Sequence, residues 1–492
     1  MEPASATKEK TGRVAQGLEA HTAIALALGA LIYILAVTGT LSVFNRELQR
    51  WEQPQAPEMT QISPAAAAAA AQAVFESENP STTHLYINFP QPDLPRTVIT
   101  TDTQAFFANA DGTAGIKEHF PWTQFLLDLH YYLHLPQILG LTVVGALGAF
   151  LLAMSLSGFI AHPRIFRDAF TLRRGEGLLP LVDLHNRLSV WTSPFHISNA
   201  LTGALLGLAS LLAFAIAALR FDGDIGGVFD PVFGGEPAPI ETAAPFANIE
   251  TPIQYMTDVY PQLPPTFLIL HDPGTAGQST SIIAKHSDRL IFGDYYQFDS
   301  SGQYKGNVGM SDGTLGQQII GSVYNVHFGN WGGLAVKLAY SVFGLMLCII
   351  VASGLRIYFL RRRQKKRAAP RLESAWEAIV WGTPLMLGLT LLLALAASLE
   401  GLALVLFFWL GLILLVAVAS VRSSAHTMRR WLKWATGITL ISTVVTHSLR
   451  YREFVLADPV LPVTLATLGL AGLLIAWVSR RDPMSPNTAT TH

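Results

Sequence analysis

Apolar runs of about 18 residues or more, each long enough to cross the hydrocarbon of a bilayer as a helix, recur along the chain. The pattern predicts eight, near residues 22–44, 136–160, 188–219, 332–360, 377–398, 401–421, 432–449 and 461–479. The seventh has the shortest apolar part, because Trp431, Lys433 and His447 interrupt it. Two long polar segments separate the first four. The first opens with Ser63-Pro64 before the run Ala65–Ala71, a proline-started helix in pattern. Strand-like stretches follow at 84–89, 97–101 and 104–109, with Asp111-Gly112 as a turn. The second predicts a helix over 252–260, strands over 266–270, 279–284 and 289–298, and a turn at Ser300-Ser301-Gly302. Its Gly- and Pro-rich start, 223–252, reads as loop.

The expected fold is therefore a polytopic α-helical membrane protein with about eight transmembrane helices. Two small α+β domains are inserted between helices one and two and between helices three and four. The expected parts are 1–44 (tail and first helix), 45–125 (external domain), 126–219 (helices two and three), 220–326 (second external domain), 327–367 (helix four with its basic end) and 368–492 (a four-helix extension).

Composition supports lipid as the main solvent: 50% of residues are hydrophobic, 14% are charged and the mean hydropathy is +0.36. A net charge of −1 lacks the basic face that a nucleic-acid partner requires. Cys348 is the single cysteine and lies in an apolar run, which excludes a disulfide within the chain, a cysteine zinc site and an iron–sulfur cluster held by this chain alone. Basic residues fix the orientation. Lys8, Lys10 and Arg13 precede the first helix, and Arg164, Arg167, Arg173 and Arg174 separate helices two and three. The run 361–367 follows the fourth helix, Arg422, Arg429, Arg430 and Lys433 the sixth, and Arg480 and Arg481 the last. All fall on one side, which the positive-inside rule makes cytoplasmic. The expected location is the bacterial inner membrane, with both long segments outside and the first helix retained as an anchor, since no small-residue cleavage site follows it.

The chain also repeats. His21 precedes Thr38-Gly39 by 17 residues, and His185 precedes Thr202-Gly203 by the same 17. Tyr131-Tyr132-Leu133-His134 stands before helix two and Tyr324-Asn325-Val326-His327 before helix four. Helix two ends with Ser157-Gly158 and helix four with Ser353-Gly354. Helix–domain–helix thus occurs twice in one orientation, which implies a pseudo-twofold axis along the membrane normal. Such an axis brings His21 to face His185 at the cytoplasmic side and His134 to face His327 at the outer side. Bis-imidazole ligation of a haem iron needs one histidine from each face, so two haems are expected, with His21, His134, His185 and His327 as ligands. Without Cys-x-x-Cys-His the haem is b-type and non-covalent.

His130 is an alternative to His134, one helical turn before it. The distance to the Ser-Gly pair is 27 residues from His130, 23 from His134 and 26 from His327, so both stay open. His162 ends helix two, and His196 lies 11 residues beyond His185, close to three turns and about 16 Å of rise. Either leaves room for a third haem or an alternative ligand. A single histidine at a membrane interface is usually a snorkelling or capping residue. Several at repeat-equivalent positions point to function, because ionisable groups within membrane helices are costly. His84, His119, His271, His286, His426, His447 and His492 have no such pairing and read as structural or surface residues.

These residues together resemble the PepSY-associated transmembrane helix proteins, also described as iron-regulated membrane proteins and including ferric-siderophore reductases. The resemblance rests on His21 with Thr38-Gly39, Leu129-His130-Tyr131-Tyr132-Leu133-His134, and Ser157-Gly158 leading to His162-Pro163-Arg164-Ile165-Phe166. It continues in Asp183-Leu184-His185-Asn186, Pro194-Phe195-His196 and Asn325-Val326-His327-Phe328-Gly329 with Gly332-Gly333, covering about residues 15–365. It implies PepSY-like external domains and a haem-b inner-membrane reductase that passes electrons outward to ferric iron held by a siderophore. No acid, base or nucleophile is required, so no catalytic residue is expected. The cytoplasmic loops are too short for a flavin or nicotinamide domain, which leaves a membrane quinol or a separate cytoplasmic reductase as donor. The rival functions are a haem cytochrome serving a quinol or another acceptor, and a non-enzymatic peptide-binding or regulatory membrane protein that would lack a Soret band.

Overall fold

The structure, a computed structural model, describes residues 3–77, 82–162, 164–175, 177–235, 240–286, 289–422 and 424–479. Pro163, Arg480, Arg481 and His492 lie outside them. In chain order the helices are α1 (Pro3–Ser42), α2 (Asn45–Glu52), α3 (Pro64–Ser77), α4 (Pro121–Tyr132), α5 (Gln137–Ala161), α6 (Ile165–Asp168), α7 (Leu178–Trp191) and α8 (Ser193–Arg220). Then come α9 (Gly226–Phe233), α10 (Glu250–Val259), α11 (Leu315–Phe328), α12 (Gly333–Gln364), α13 (Pro370–Ala397), α14 (Leu402–Arg422), α15 (Ala425–Arg450) and α16 (Val460–Ser479). Residues fall into two units, Met1–Glu52 with Pro121–Ala204 and Leu338–His492, and Gln53–Phe120 with Leu205–Lys337.

The first unit is helical. Seven helices among the described residues are long and apolar enough to cross a membrane: α1 from Val14, α5, α8, α12, α13, α14 to Val421, and α16. The pattern predicts an eighth, 432–449, and a 26-residue helix, α15, stands there. It falls short in apolarity because it carries polar residues such as Lys433, Thr436, Thr439, Thr443 and His447, which are buried in the bundle. Inside the bundle such groups find protein partners that lipid cannot supply. Helix α13 packs on α14 and α15, and α15 on α16.

This extension is tied to the preceding helices by polar contacts. Tyr33 Oη donates to Val380 O at 2.9 Å, Trp376 Nε1 to Ala352 O at 3.2 Å, and Trp122 Nε1 to Thr390 Oγ1 at 3.1 Å. His447 stacks on Trp51 with ring centroids 3.8 Å apart and donates from Nε2 to Trp51 O at 2.7 Å. The next residue, Glu52, is buried and caps α4, its carboxylate accepting from Trp122 N, Thr123 N and Thr123 Oγ1 at 2.8–2.9 Å. A carboxylate at a helix N-terminus satisfies the open N–H groups and the helix dipole together.

In the second unit the strands of the two long segments share one sheet, a pairing the sequence does not predict. Strands β1 (His84–Asn88), β2 (Val98–Thr100), β3 (Ala105–Ala108), β4 (Ala114–Lys117), β5 (Pro265–His271), β6 (Ser279–Ala284), β7 (Asp294–Phe298) and β8 (Tyr304–Val308) form one antiparallel sheet in the order β4-β3-β2-β1-β5-β6-β7-β8. Each half is a meander preceded by a helix, and the halves join where β1 pairs with β5, Tyr86 opposite Ile269. Joining removes two exposed sheet edges, which unpaired would be aggregation templates. The alternation of β1 puts Leu85 and Ile87 in a core with Leu268, Leu270 and Ile282, where Ala67, Ala70 and Val74 of α3 and Ile253 and Met256 of α10 are also buried. Strands β4 and β8 and helix α9, inside the stretch expected to be loop, were not predicted. The strands are short with weak alternation, and α9 carries an internal Pro231.

Burial pushes the Glu118 carboxyl, just after β4, up to about 7, with the Arg96 guanidinium pulling the other way. An acid raised on folding contributes stability below its ordinary value of 4.5 and loses it as pH rises through about 7. Glu118→Gln is therefore expected to raise the unfolding midpoint relative to wild type at pH 8 and to leave it unchanged near pH 4, measured by thermal unfolding across pH. A variant destabilised at pH 8 would contradict this.

Candidate functional site

Helix α1 carries His21, and α7 carries His185. Their rings come together with centroids 6.5 Å apart and planes at 88°. Each is held in the same way. His21 Nδ1 donates to Met154 O at 3.0 Å, with Ser157 Oγ at 3.4 Å, and Gly158 lies beside its ring. His185 Nδ1 donates to Ile350 O at 3.1 Å and to Ser353 Oγ at 3.0 Å, with Gly354 so close that an added Cβ would stand 3.3 Å from the ring. In both, the carbonyl lies three residues before the serine and the glycine directly after it. The repeat is thus a repeated histidine cradle: the hydroxyl and carbonyl hold Nδ1, with a glycine against the ring that is tight at Gly354 and in ordinary contact distance at Gly158. Donation from Nδ1 leaves Nε2 with its lone pair, the usual arrangement of a ligating histidine.

The separation of the pair is that of two imidazoles with room for one metal centre between them. An imidazole nitrogen sits about 2 Å from a first-row metal and the ring centre roughly 1.1 Å further on, so two trans imidazoles have centroids about 6 Å apart. The observed 6.5 Å is close to that.

A third cradle holds His130 on α4. Its Nδ1 lies 3.1 Å from Leu35 O and 3.2 Å from Thr38 Oγ1, and a Cβ on Gly39 would stand 2.6 Å from its ring. His134 is different. Helix α4 ends at Tyr132, so His134 is not one turn further along the same face; Leu133 and His134 have φ of 53° and 57°. His134 Nε2 donates to Phe125 O of α4 at 2.9 Å and the ring stacks on Phe125, so Nε2 is engaged by the helix before it rather than held in a cradle like that of His130. His162 is the C-cap of α5, with Nε2 3.2 Å from Asp168. His196 lies on α8, beyond a break at Thr192 followed by Pro194, so the uninterrupted rise from His185 that the spacing predicts is interrupted there. Its Nε2 bonds to Thr192 Oγ1. His327 belongs to the second unit, near the end of α11 before Gly329, which is left-handed with φ 70°.

The family model described as the PepSY-associated TM region matches residues 18–362. The chain belongs to that family. A relative in Pseudomonas aeruginosa, the uncharacterized protein PA4219, is 28% identical over 275 residues, 51% of this chain and 67% of the relative. The PepSY-associated match contains all seven candidate histidines and stops before α13, so α13–α16 stand outside it.

In the sequence of this PepSY-associated chain the Ser-Gly and Thr-Gly pairs mark the repeat. Three of the four stand at a histidine ring, Ser157-Gly158 at His21, Ser353-Gly354 at His185 and Thr38-Gly39 at His130, and their recurrence one per helix is the signal the chain carries. Glu52 and His447 gave no such signal, because what they meet lies far along the chain.

Proposed function

We propose that the protein is a haem-b reductase of the bacterial inner membrane that passes electrons outward to ferric iron, held by a siderophore. The observation that carries the reading is the His21–His185 pair, with ring centroids at 6.5 Å and both Nδ1 atoms engaged by carbonyls. Bound there, haem supplies a one-electron iron couple. His21 and His185 would hold it, oriented by Met154 O and Ile350 O, while Ser157 and Ser353 accept from the same protons and raise the basicity of the ligands. A second haem would be held at His130, on its matching cradle. The two long segments, read as PepSY-like and external, would receive the ferric complex. Iron(III) is held there by hard oxygen ligands, and one-electron reduction weakens that hold.

The test is haem stoichiometry. Protein made with ample haem should contain about two acid-acetone-extractable haems and, once reduced, should be reoxidised by a ferric siderophore. His130→Ala should lower the content to about one while His134→Ala keeps about two. An absent Soret band in wild-type protein, or haem loss confined to the His134 variant, would refute the assignment.

A further inference from the structure

Helix α8 carries two buried polar atoms whose partners the cradles do not supply. Thr192 Oγ1 donates to Leu188 O at 2.7 Å, so its oxygen receives the proton of His196 Nε2. His196 Nδ1 is therefore an acceptor. It is buried with no hydrogen-bond partner, and the residue is 4% exposed. One turn later, Asn199 Oδ1 is also buried without a partner. Residues three apart share a helix face, and α8 is one of the helices apolar enough to span the membrane. An acceptor left open in such surroundings is costly, so the site calls for a ligand that brings donors. Aromatic rings lie alongside: Phe195 stands edge-on to His196 at 5.6 Å and packs on Tyr340 at 5.0 Å and Phe343 at 5.3 Å.

Two open acceptors, beside aromatic rings in a membrane helix, match a flat apolar molecule with two hydroxyl groups. We propose that His196 and Asn199 bind a membrane quinol through its hydroxyls and that His196 Nδ1 takes a proton as the quinol is oxidised. The proposal rests on the redox reading above and names its electron donor. One quinol gives a quinone, two electrons and two protons. Two ferric ions, the external substrate, would take one electron each; one O–H proton goes to His196 Nδ1 and the other to solvent. The inverted arrangement of His196, with Nε2 tied to its own helix and Nδ1 open, separates this role from that of the cradled histidines.

The experiment uses the full chain, loaded with haem in lipid nanodiscs, and an azido derivative of decyl-ubiquinol as photoprobe. Label is expected on the peptide containing residues 192–203, displaced by excess decyl-ubiquinol. His196→Gln and Asn199→Leu should each weaken labelling and raise the KM for decyl-ubiquinol roughly tenfold, with haem content and the dithionite-reduced spectrum unchanged. Label elsewhere, label not displaced, a wild-type protein that decyl-ubiquinol cannot reduce, or loss of a haem in His196→Gln would each overturn the proposal. A preparation that binds no haem would defeat the redox reading instead, and displaceable label on 192–203 in it would still support the quinol site.

Discussion

His185→Ala is expected to lower the haem content from about two to about one per protein and to remove about half of the Soret absorbance. His185 is held on two sides, by Ile350 O and Ser353 Oγ at Nδ1 and by Gly354 against the ring, and its partner His21 is 6.5 Å away, centroid to centroid. Alanine leaves His21 with nothing across from it, and one imidazole cannot reproduce ligation from both faces. The remaining haem should still be reducible by dithionite, while reduction by the physiological donor should be lost. Ser353→Ala is the control, since it removes only the hydroxyl and keeps the carbonyl contact, so haem should be retained. Pyridine haemochrome quantitation against protein mass decides the matter. Full haem content in His185→Ala would show that this pair is not the ligand set.

The second large effect is expected at Glu377 on α13. Its side chain is 1% exposed and is gripped twice, by Arg356 at 2.7 and 2.6 Å and by Arg429 at 3.1 Å for both bonds. Two guanidiniums from α12 and α15 thus converge on one carboxylate, with Arg356 only two residues beyond Gly354. Glu377→Ala leaves both cations facing one another without a counter-charge, and breaking such a group costs about 3–5 kcal/mol. The unfolding temperature in detergent should fall markedly, with haem loss from the His185 site following it. Replacing Glu377, Arg356 and Arg429 together by methionine should recover most of the loss, because a fully apolar contact has no charge to desolvate. A single variant as stable as wild type would mean that the charges are solvated rather than paired.

Much of this was legible in the chain itself. Apolar run length located the membrane helices, since a helix must cover the hydrocarbon with its own residues. Period-two alternation located most strands, and proline at the start of α3 marked its first turn. The candidate histidines were visible because an ionisable group in or beside an apolar run is costly, and the 17-residue match tied His21 to His185. Those signals are local or repeat at fixed spacing, so one sequence carries them.

What the tertiary structure alone decided depends on partners far along the chain. The two halves of the sheet join through β1 and β5, more than 170 residues apart in sequence, and backbone pairing leaves no mark on side-chain pattern. The preference for His130 over His134 turns on where α4 ends and which ring nitrogen a carbonyl occupies. The burial of α15, with Lys433 and His447 inside the bundle, follows from the helices around it, since the same polar residues facing lipid would have no partners. Sequence thus picked out the apolar segments able to cross a membrane and the candidate histidines; packing decided which ring nitrogens carbonyls occupy.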